Sequence, residues 1–440
     1  MADAIESLTS GPAHQARMAA LETISRAAAL LFANGQTTER TIAATERIGH
    51  ALGLSVTLQP RWGELTVHVT DTPFSEVAAA TPLGVNMDKV VATMTLIDRT
   101  CAGDLPADAV PAALTAVEAR PAISALRFVL FAAIGAAALG VIFGALNPLS
   151  LLLIAASAAI GAALRRWLAS LSGNPFVQPL CAAVVAGLVG GIAGIGATRL
   201  NLADGQRLIA LCPCMILVPG PHILNGAIDL ARARIAIGAT RLAYAGLVVL
   251  MICAGLLLGL TAGGGSLSVD AVSAAVPLGA DMLAAGCAVA AFGTFFAMPW
   301  RLLPLPIVVG MVAHAVRWAL ISLAGAHVAI GALAACLLVG LIMAPLADRL
   351  HLPFAGLGFS AVVSLMPGLF LFRAAGSLVA LLSTGEHAPV ELLQSTVING
   401  TTAFLIVLAM AFGLILPRLL FERVLHRLAQ RPAFAQQHRP

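Results

Sequence analysis

The sequence predicts a mostly α polytopic membrane protein: ten transmembrane helices as two inverted five-helix repeats, preceded by a small cytoplasmic α+β domain. Three observations predict it. Of the 440 residues, 59% are hydrophobic and 10% charged, and the mean hydropathy is +0.94. A soluble domain is about a quarter charged, so an ordinary soluble enzyme, a nucleic-acid binder and a disordered chain are excluded. Charge is also unevenly divided: residues 1–126 hold 8 basic and 13 acidic side chains, the remaining 314 hold 17 and 8. Finally, ten apolar runs follow Arg127, most of them near the ~20 residues that span a bilayer, and the second five resemble the first.

The head, residues 1–122, begins MADAIESLTSGPAHQARM, without a basic stretch followed by an apolar one. It does not read as a secretory signal, so the head is expected to stay in the cytoplasm. Ala19 to Phe32 is a good helix former that ends at Ala33-Asn34-Gly35. Thr37 or Thr38 caps a second helix, with Ala44, Ile48, Ala51 and Leu52 on one face and Gly53 as its stop. Ser55–Gln59 and Leu65–Val69 alternate with period two around the turn Pro60–Glu64, which predicts a hairpin. Val90, Met94 and Ile97 mark a third helix, and Pro106 to Arg120 a fourth. The polar cluster Asn34 to Arg40 reads as a solvated cap with Glu39 and Arg40 on the wet face.

The apolar runs lie at about 127–144, 148–167, 177–197, 207–230 and 235–260, then 282–299, 303–323, 327–347, 355–382 and 391–416. They divide the chain into a first repeat at 123–262, an external linker at 263–281, a second repeat at 282–420 and a basic tail at 421–440. Leu217-Val218-Pro219-Gly220 recurs as Leu365-Met366-Pro367-Gly368, 148 positions later, and Arg166-Trp167 recurs as Arg317-Trp318. Such self-similarity is an internal repeat. Because five is odd, the second copy runs inverted. With both termini inside, Arg165, Arg166, Arg232, Arg234, Arg241, Arg301, Arg349 and the arginines after 417 fall on the cytoplasmic side. Arg199 and Arg207 are the exceptions. Inverted repeats with helices interrupted at matching places are the architecture of secondary transporters.

The fourth helix holds Pro213, Pro219, Pro221 and Gly220 within nine residues and cannot run unbroken. Freed backbone groups survive in lipid only if buried in protein or lining a wet cavity. Pro219, Gly220, Pro367 and Gly368 are therefore expected at the substrate. Half-helix amides suit a carboxylate and half-helix carbonyls an ammonium. His222, Asn225 and Asp229 share one face at helical spacing, and His222 and Asn225 are expected to bind substrate with the broken helices. Ionisable residues inside a membrane are functional candidates by default, so Asp229, His222 and His314 are candidate proton carriers. Arg317 and Arg373 are candidate carboxylate partners. Asn399 and Thr401 read as glue between helices, and the glycines at 187, 190, 191, 194 and 196 as close helix packing.

No cofactor or metal is expected. The seven cysteines are odd in number and most lie in apolar runs; Cys212-Pro213-Cys214 has no second ligand pair and reads as buried thiols. No HExxH, GxSxG or paired Gly-x-Gly-Asp motif occurs, which argues against an enzyme.

The head segment Asn34-Gly-Gln-Thr-Thr-Glu-Arg-Thr-Ile with Gly49-His-Ala-Leu-Gly-Leu54, the Leu-Val-Pro-Gly at 217–220 and the Pro-Gly at 367–368 resemble the threonine/serine exporter family. The resemblance covers about residues 15–420, with both halves fused in one chain. It implies an inner-membrane exporter with a cytoplasmic head, moving small amino acids outward on the proton-motive force. Similar halves occur elsewhere as two proteins implicated in dicarboxylate (succinate) export, which keeps that substrate as the alternative. A membrane-anchored sensor or hydrolase is the reading from another class. The expected partners are a small-molecule substrate (amino acid or dicarboxylate), protons and the lipid bilayer, with no nucleic acid; a homo-oligomer is compatible with the chain.

Overall fold

In the computed structural model the N-terminal part runs α1 (Pro12–Ala33), α2 (Thr38–Ala51), β1 (Val56–Arg61), β2 (Gly63–Val69), β3 (Ser75–Ala80), α3 (Met87–Ala102) and α4 (Val110–Glu118). The structure describes residues 12–70, 72–196, 202, 206–265, 276–349, 354–365, 367–385 and 388–436. Arg199, Met366 and most of the linker lie outside them.

Helix α2 starts where its sequence says. Thr37 accepts a hydrogen bond from the Arg40 amide, Glu39 sits in the first turn, and Gly53 follows the C-cap at φ +78°. The hairpin turns at Trp62-Gly63, in register Arg61↔Glu64 and Leu58↔Val67. Val56, Leu58, Leu65 and Val67 are buried, and α1 packs over β2 and β3. The third strand has no sequence signal. Ser-Glu-Val-Ala-Ala-Ala is rich in a strong helix former, and alanine barely marks an alternation. It is a strand because β2 offers its open edge, with Leu65 opposite Ala78.

The regular elements of the remaining described residues are helical: α5 (Ala125–Ile142), α6 (Pro148–Leu171), α7 (Val177–Ile195), α8 (Gln206–Met215), α9 (Gly220–Ala231), α10 (Ile235–Ala262), α11 (Leu278–Phe295), α12 (Pro304–Ser322), α13 (Val328–Arg349), α14 (Phe354–Val362), α15 (Gly368–Thr384) and α16 (Val390–Gln436). Eight of these, all but α8, α9, α14 and α15, are long and apolar enough to cross a membrane. The other four form two bent pairs, α8–α9 at 59° and α14–α15 at 46°, which brings the number of spans to as many as ten.

Packing follows the same plan in both sets. The third and fifth helices lie along each other (α7 on α10, α13 on α16), and the two first helices, α5 and α11, meet. Arg166, near the end of α6, donates to the Ile123 carbonyl ahead of α5. Trp318, near the end of α12, donates to the Val276 carbonyl ahead of α11. The recurring Arg-Trp pair thus ties the second helix of each set back to the start of the first.

Glycine makes the α7–α10 contact possible. A Cβ on Gly187 would collide with the Leu256 carbonyl, and one on Gly259 with the Val184 carbonyl. Gly187→Val is therefore expected to cost about 1–3 kcal/mol in overpacking, read as a lower detergent-solution Tm. The glue expected from Asn399 and Thr401 lies elsewhere. Asn399 donates to the Ser395 carbonyl of its own helix and Thr401 is exposed, whereas Ser377 and Ser395 bridge α15 and α16 at 3.1 Å.

Candidate functional site

The first break is built by its prolines. In α8 the N–H lost at Pro213 is absorbed within the helix. Pro219 is the N-cap of α9 and Pro221 lies in its first turn, where a missing N–H breaks no bond. The cost falls upstream. The α-helical partner of the Leu217 carbonyl would be the N–H of residue 221, which proline lacks. The partner of the Ile216 carbonyl would be Gly220, which donates instead to Val218 at 2.8 Å. Among the described residues these two carbonyls accept no backbone hydrogen bond. Pro367 caps α15 in the same way. The two breaks approach each other: a Cβ on Gly368 would lie 3.2 Å from Met215 Cγ.

A cavity of about 530 Å³ opens beside the first break. Ile216, Leu217, Pro219 and His222 line one wall, and Val363 of the second break reaches it. Arg165 and Ser172 of the α6 end, Gln178 of α7 and Tyr244 of α10 supply its other polar groups. No aspartate or glutamate lines it among the described residues. Arg165 Nε is buried without a hydrogen-bond partner among the described residues, and its guanidinium stands 5.7 Å from the Phe128 ring. A buried guanidinium facing a cavity without acids calls for an anionic group.

The head closes this cavity. Leu83, Gly84 and Val85, between β3 and α3, form part of its wall. His222 donates from Nε2 to the Pro82 carbonyl at 2.6 Å, which leaves Nδ1 as an acceptor without a partner among the described residues. Its ring lies 4.9 Å from that of Tyr244, the chain's single tyrosine, tilted by 52°. At the next helix start, the Met87 amide donates to the Phe296 carbonyl.

Asp229 lies two turns farther along α9, outside the cavity lining, at 2% exposure. Thr38 Oγ1 donates to its Oδ2 at 2.9 Å, while Arg241 Nε stands 3.5 Å and Arg234 3.7 Å away. Arg241 is as buried as Asp229 and covers the Phe32 ring at 5.1 Å. Glu39 pairs with Arg232. The cluster Asn34 to Arg40 is therefore not a solvated cap: Gln36, Thr37 and Thr38 are buried, Thr38 bonds Asp229 and Glu39 is ion-paired with Arg232. Its polarity matches the ionic C-terminal end of α9, not water.

The other expected residues fall apart into separate places. Asn225 is buried on α9 with Oδ1 unpartnered among the described residues, and Pro367 and Gly368 sit at the second break; none of the three lines the cavity. Arg317 lays its stem against Gly331 of α13, and Arg373 is half-buried on α15; neither lines the cavity. His314 is fully buried between Asp281 and Ser364.

Sequence reasoning passed over Arg165, Tyr244, Arg241, Thr38 and Asp281. Arg165 and Arg241 served there only as markers of the inner side. Asp281 was placed at the end of the linker, although an acid in the first turn of an apolar run was a usable signal.

Residues 22–263 match the family model ThrE, described as a threonine/serine exporter, and residues 281–420 match ThrE_2, described as "Threonine/Serine exporter, ThrE". No curated protein and no solved structure matches the chain. The two models meet around the linker and between them take in both bent pairs and most of the head. This chain, a multi-pass membrane protein of a transporter family, belongs to the threonine/serine exporters.

Proposed function

We propose that this chain carries threonine- or serine-type amino acids out of the cell across the inner membrane, driven by the proton-motive force. One observation carries the reading: the cavity is lined both by Arg165, whose Nε has no hydrogen-bond partner among the described residues, and by Ile216 and Leu217, whose carbonyls accept no backbone hydrogen bond among them. A zwitterion presents the complementary pair. Its carboxylate goes to Arg165 and its ammonium to the Ile216 and Leu217 carbonyls. Ser172, Gln178 and Tyr244 are left to meet a side-chain hydroxyl. A dicarboxylate would call for a second cation, and Arg317 and Arg373 do not line the cavity.

The proposed organisation is a cytoplasmic head (1–122), two inverted repeats (123–262 and 282–420) joined outside by 263–281, and an inner tail (421–440). Matching breaks, matching helix contacts and the Arg166 and Trp318 ties support the repeats. Docking of the head on the ionic inner end of α9 supports the orientation. In this reading Asp229 locks the head and does not carry substrate. His222, held by the head's Pro82, reports head position to the cavity.

The test is efflux from cells lacking the protein, preloaded with threonine, serine or succinate. Threonine and serine efflux restored by the chain and abolished by a protonophore is expected. Restored succinate efflux alone would replace the amino-acid reading with the dicarboxylate one.

A further inference from the structure

Building on the proton-driven reading above, we propose that Asp281, His314 and Ser364 form the proton relay of the exporter, linking the outer end of α11 to the break in the second bent span.

The three residues come from three separate elements. Asp281 is in the first turn of α11, His314 is in the middle of α12, and Ser364 is in the 3-10 turn at 363–365 between α14 and α15. His314 Nδ1 lies 3.1 Å from Asp281 Oδ2 and its Nε2 lies 2.8 Å from Ser364 Oγ. Exposures are 2%, 0% and 4% for Asp281, His314 and Ser364. Three polar side chains desolvated in an apolar bundle are costly to retain and call for a function. The Pro-Gly offset of 148 puts Ile216 where Ser364 stands, the Arg-Trp offset of 151 puts Ala163 where His314 stands, and counting from the helix starts Ala125 and Leu278 puts Phe128 where Asp281 stands. One half then holds the substrate cavity with its arginine, and the other holds the titratable chain.

The bonding makes the relay a switch. With Nδ1–H donating to Asp281, neutral His314 accepts at Nε2 from the Ser364 hydroxyl. One proton that reaches the imidazole from outside binds at Nε2, with the Asp281 carboxylate keeping Nδ1–H and balancing the charge of the imidazolium, so that Nε2–H now donates to Ser364 Oγ. The Ser364 hydroxyl hydrogen must then turn to another acceptor within the break. Release of that proton to the cytoplasmic side restores the first arrangement, with one proton moved and none created. Ser364 adjoins Val363, which reaches the substrate cavity, so the protonation state is felt there without contact to substrate.

Other titratable or charged groups on α12 and the elements packed against it are Cys287 on α11, Arg301 just before α12, Arg317 on α12 itself, and Cys336, Asp348 and Arg349 on α13. Arg317 stands one turn from His314 and within electrostatic reach of Asp281. Asp281 is the one acid that hydrogen-bonds the imidazole among the described residues.

An aspartate, a histidine and a serine in this order also resemble the groups of a nucleophilic hydrolase. Ser364, however, is 4% exposed and does not line the cavity, which leaves no place for an acyl carbonyl.

The test uses the full-length protein in proteoliposomes, with Asp281→Asn, His314→Gln and Ser364→Ala beside wild type. Two threonine assays are run: uphill movement driven by an imposed pH difference, and exchange at equal concentrations without one. One pH unit sustains about a tenfold gradient at one proton per substrate. Wild type is expected to build it. Asp281→Asn and His314→Gln are expected to build none while exchanging at the wild-type rate. Parallel loss of both activities would make the cluster structural, and retention of both would make it idle; either overturns the relay.

Wild type that moves succinate and not threonine, with the same split in the variants, would sink the amino-acid reading and keep the relay. A substrate-free arm is the infrared difference spectrum on changing outside pH. A carboxyl or imidazole band lost in Asp281→Asn and His314→Gln is expected, and its absence from wild type overturns the relay even if no substrate moves. Labelling of wild type, but not Ser364→Ala, by a fluorophosphonate would overturn it in favour of a nucleophile.

Discussion

Arg165→Gln is expected to raise the threonine KM for efflux by roughly 30-fold or more, since deleting one partner of a buried charged pair costs about 2–5 kcal/mol. The guanidinium faces a cavity with no acid among its described lining residues, and its Nε has no protein partner there. A substrate carboxylate would be its counter-charge, so glutamine keeps a polar side chain and loses the ion pair. Arg165→Lys separates charge from geometry. A lysine restores attraction but not the two-pronged fit of a planar guanidinium, so its KM should fall between the two. The measurement is initial efflux rate against internal threonine concentration, with surface expression held equal. An unchanged KM in Arg165→Gln would mean that the carboxylate sits elsewhere. Arg317 and Arg373 supply controls of the same charge outside the cavity, and their glutamine variants should leave the threonine KM near wild type.

What was legible in the sequence was local. Apolar runs, the Pro-Gly breaks and the Thr37 and Gly53 caps depend on neighbours within a few residues; eight of the runs reappear as single long helices, two as bent pairs, and the caps stand where expected. The consequence of Pro221 for the Leu217 carbonyl could also be worked out from spacing alone. The cavity wall could not. Arg165 lies six residues before the end of α6, and position along a helix gives depth, not what lies opposite. Pairing of Thr38 with Asp229 joins residues 191 positions apart, and nothing in Asn34 to Arg40 distinguishes a wet surface from an ionic one. β3 was hidden for the same reason: its alanines acquire strand geometry only from the edge of β2. The expected residues Arg317, Arg373 and His314 were chosen for being charged or titratable in apolar runs, a rule that finds costly groups without saying which of them share a site.

The second large effect is expected at the head junction. Asp229→Ala leaves Arg241 buried with neither its carboxylate nor water, a situation that costs about 3–5 kcal/mol. Arg241 is 2% exposed and sits over Phe32 of the head, so the loss should fall first on head docking. It should appear as faster proteolysis in the 81–86 segment and a lower Tm. Asp229→Ala with Arg241→Met removes both charges and keeps the apolar stem, so docking should return. That rescue distinguishes a lock from a proton carrier. If Asp229 only closes the head, the double variant recovers threonine efflux along with stability. If Asp229 also carries a proton, the double variant is stable and its efflux no longer responds to the proton gradient. Recovery of both is expected, because Asp229 lies outside the cavity lining and Thr38, Arg234 and Arg241 already hold its carboxylate.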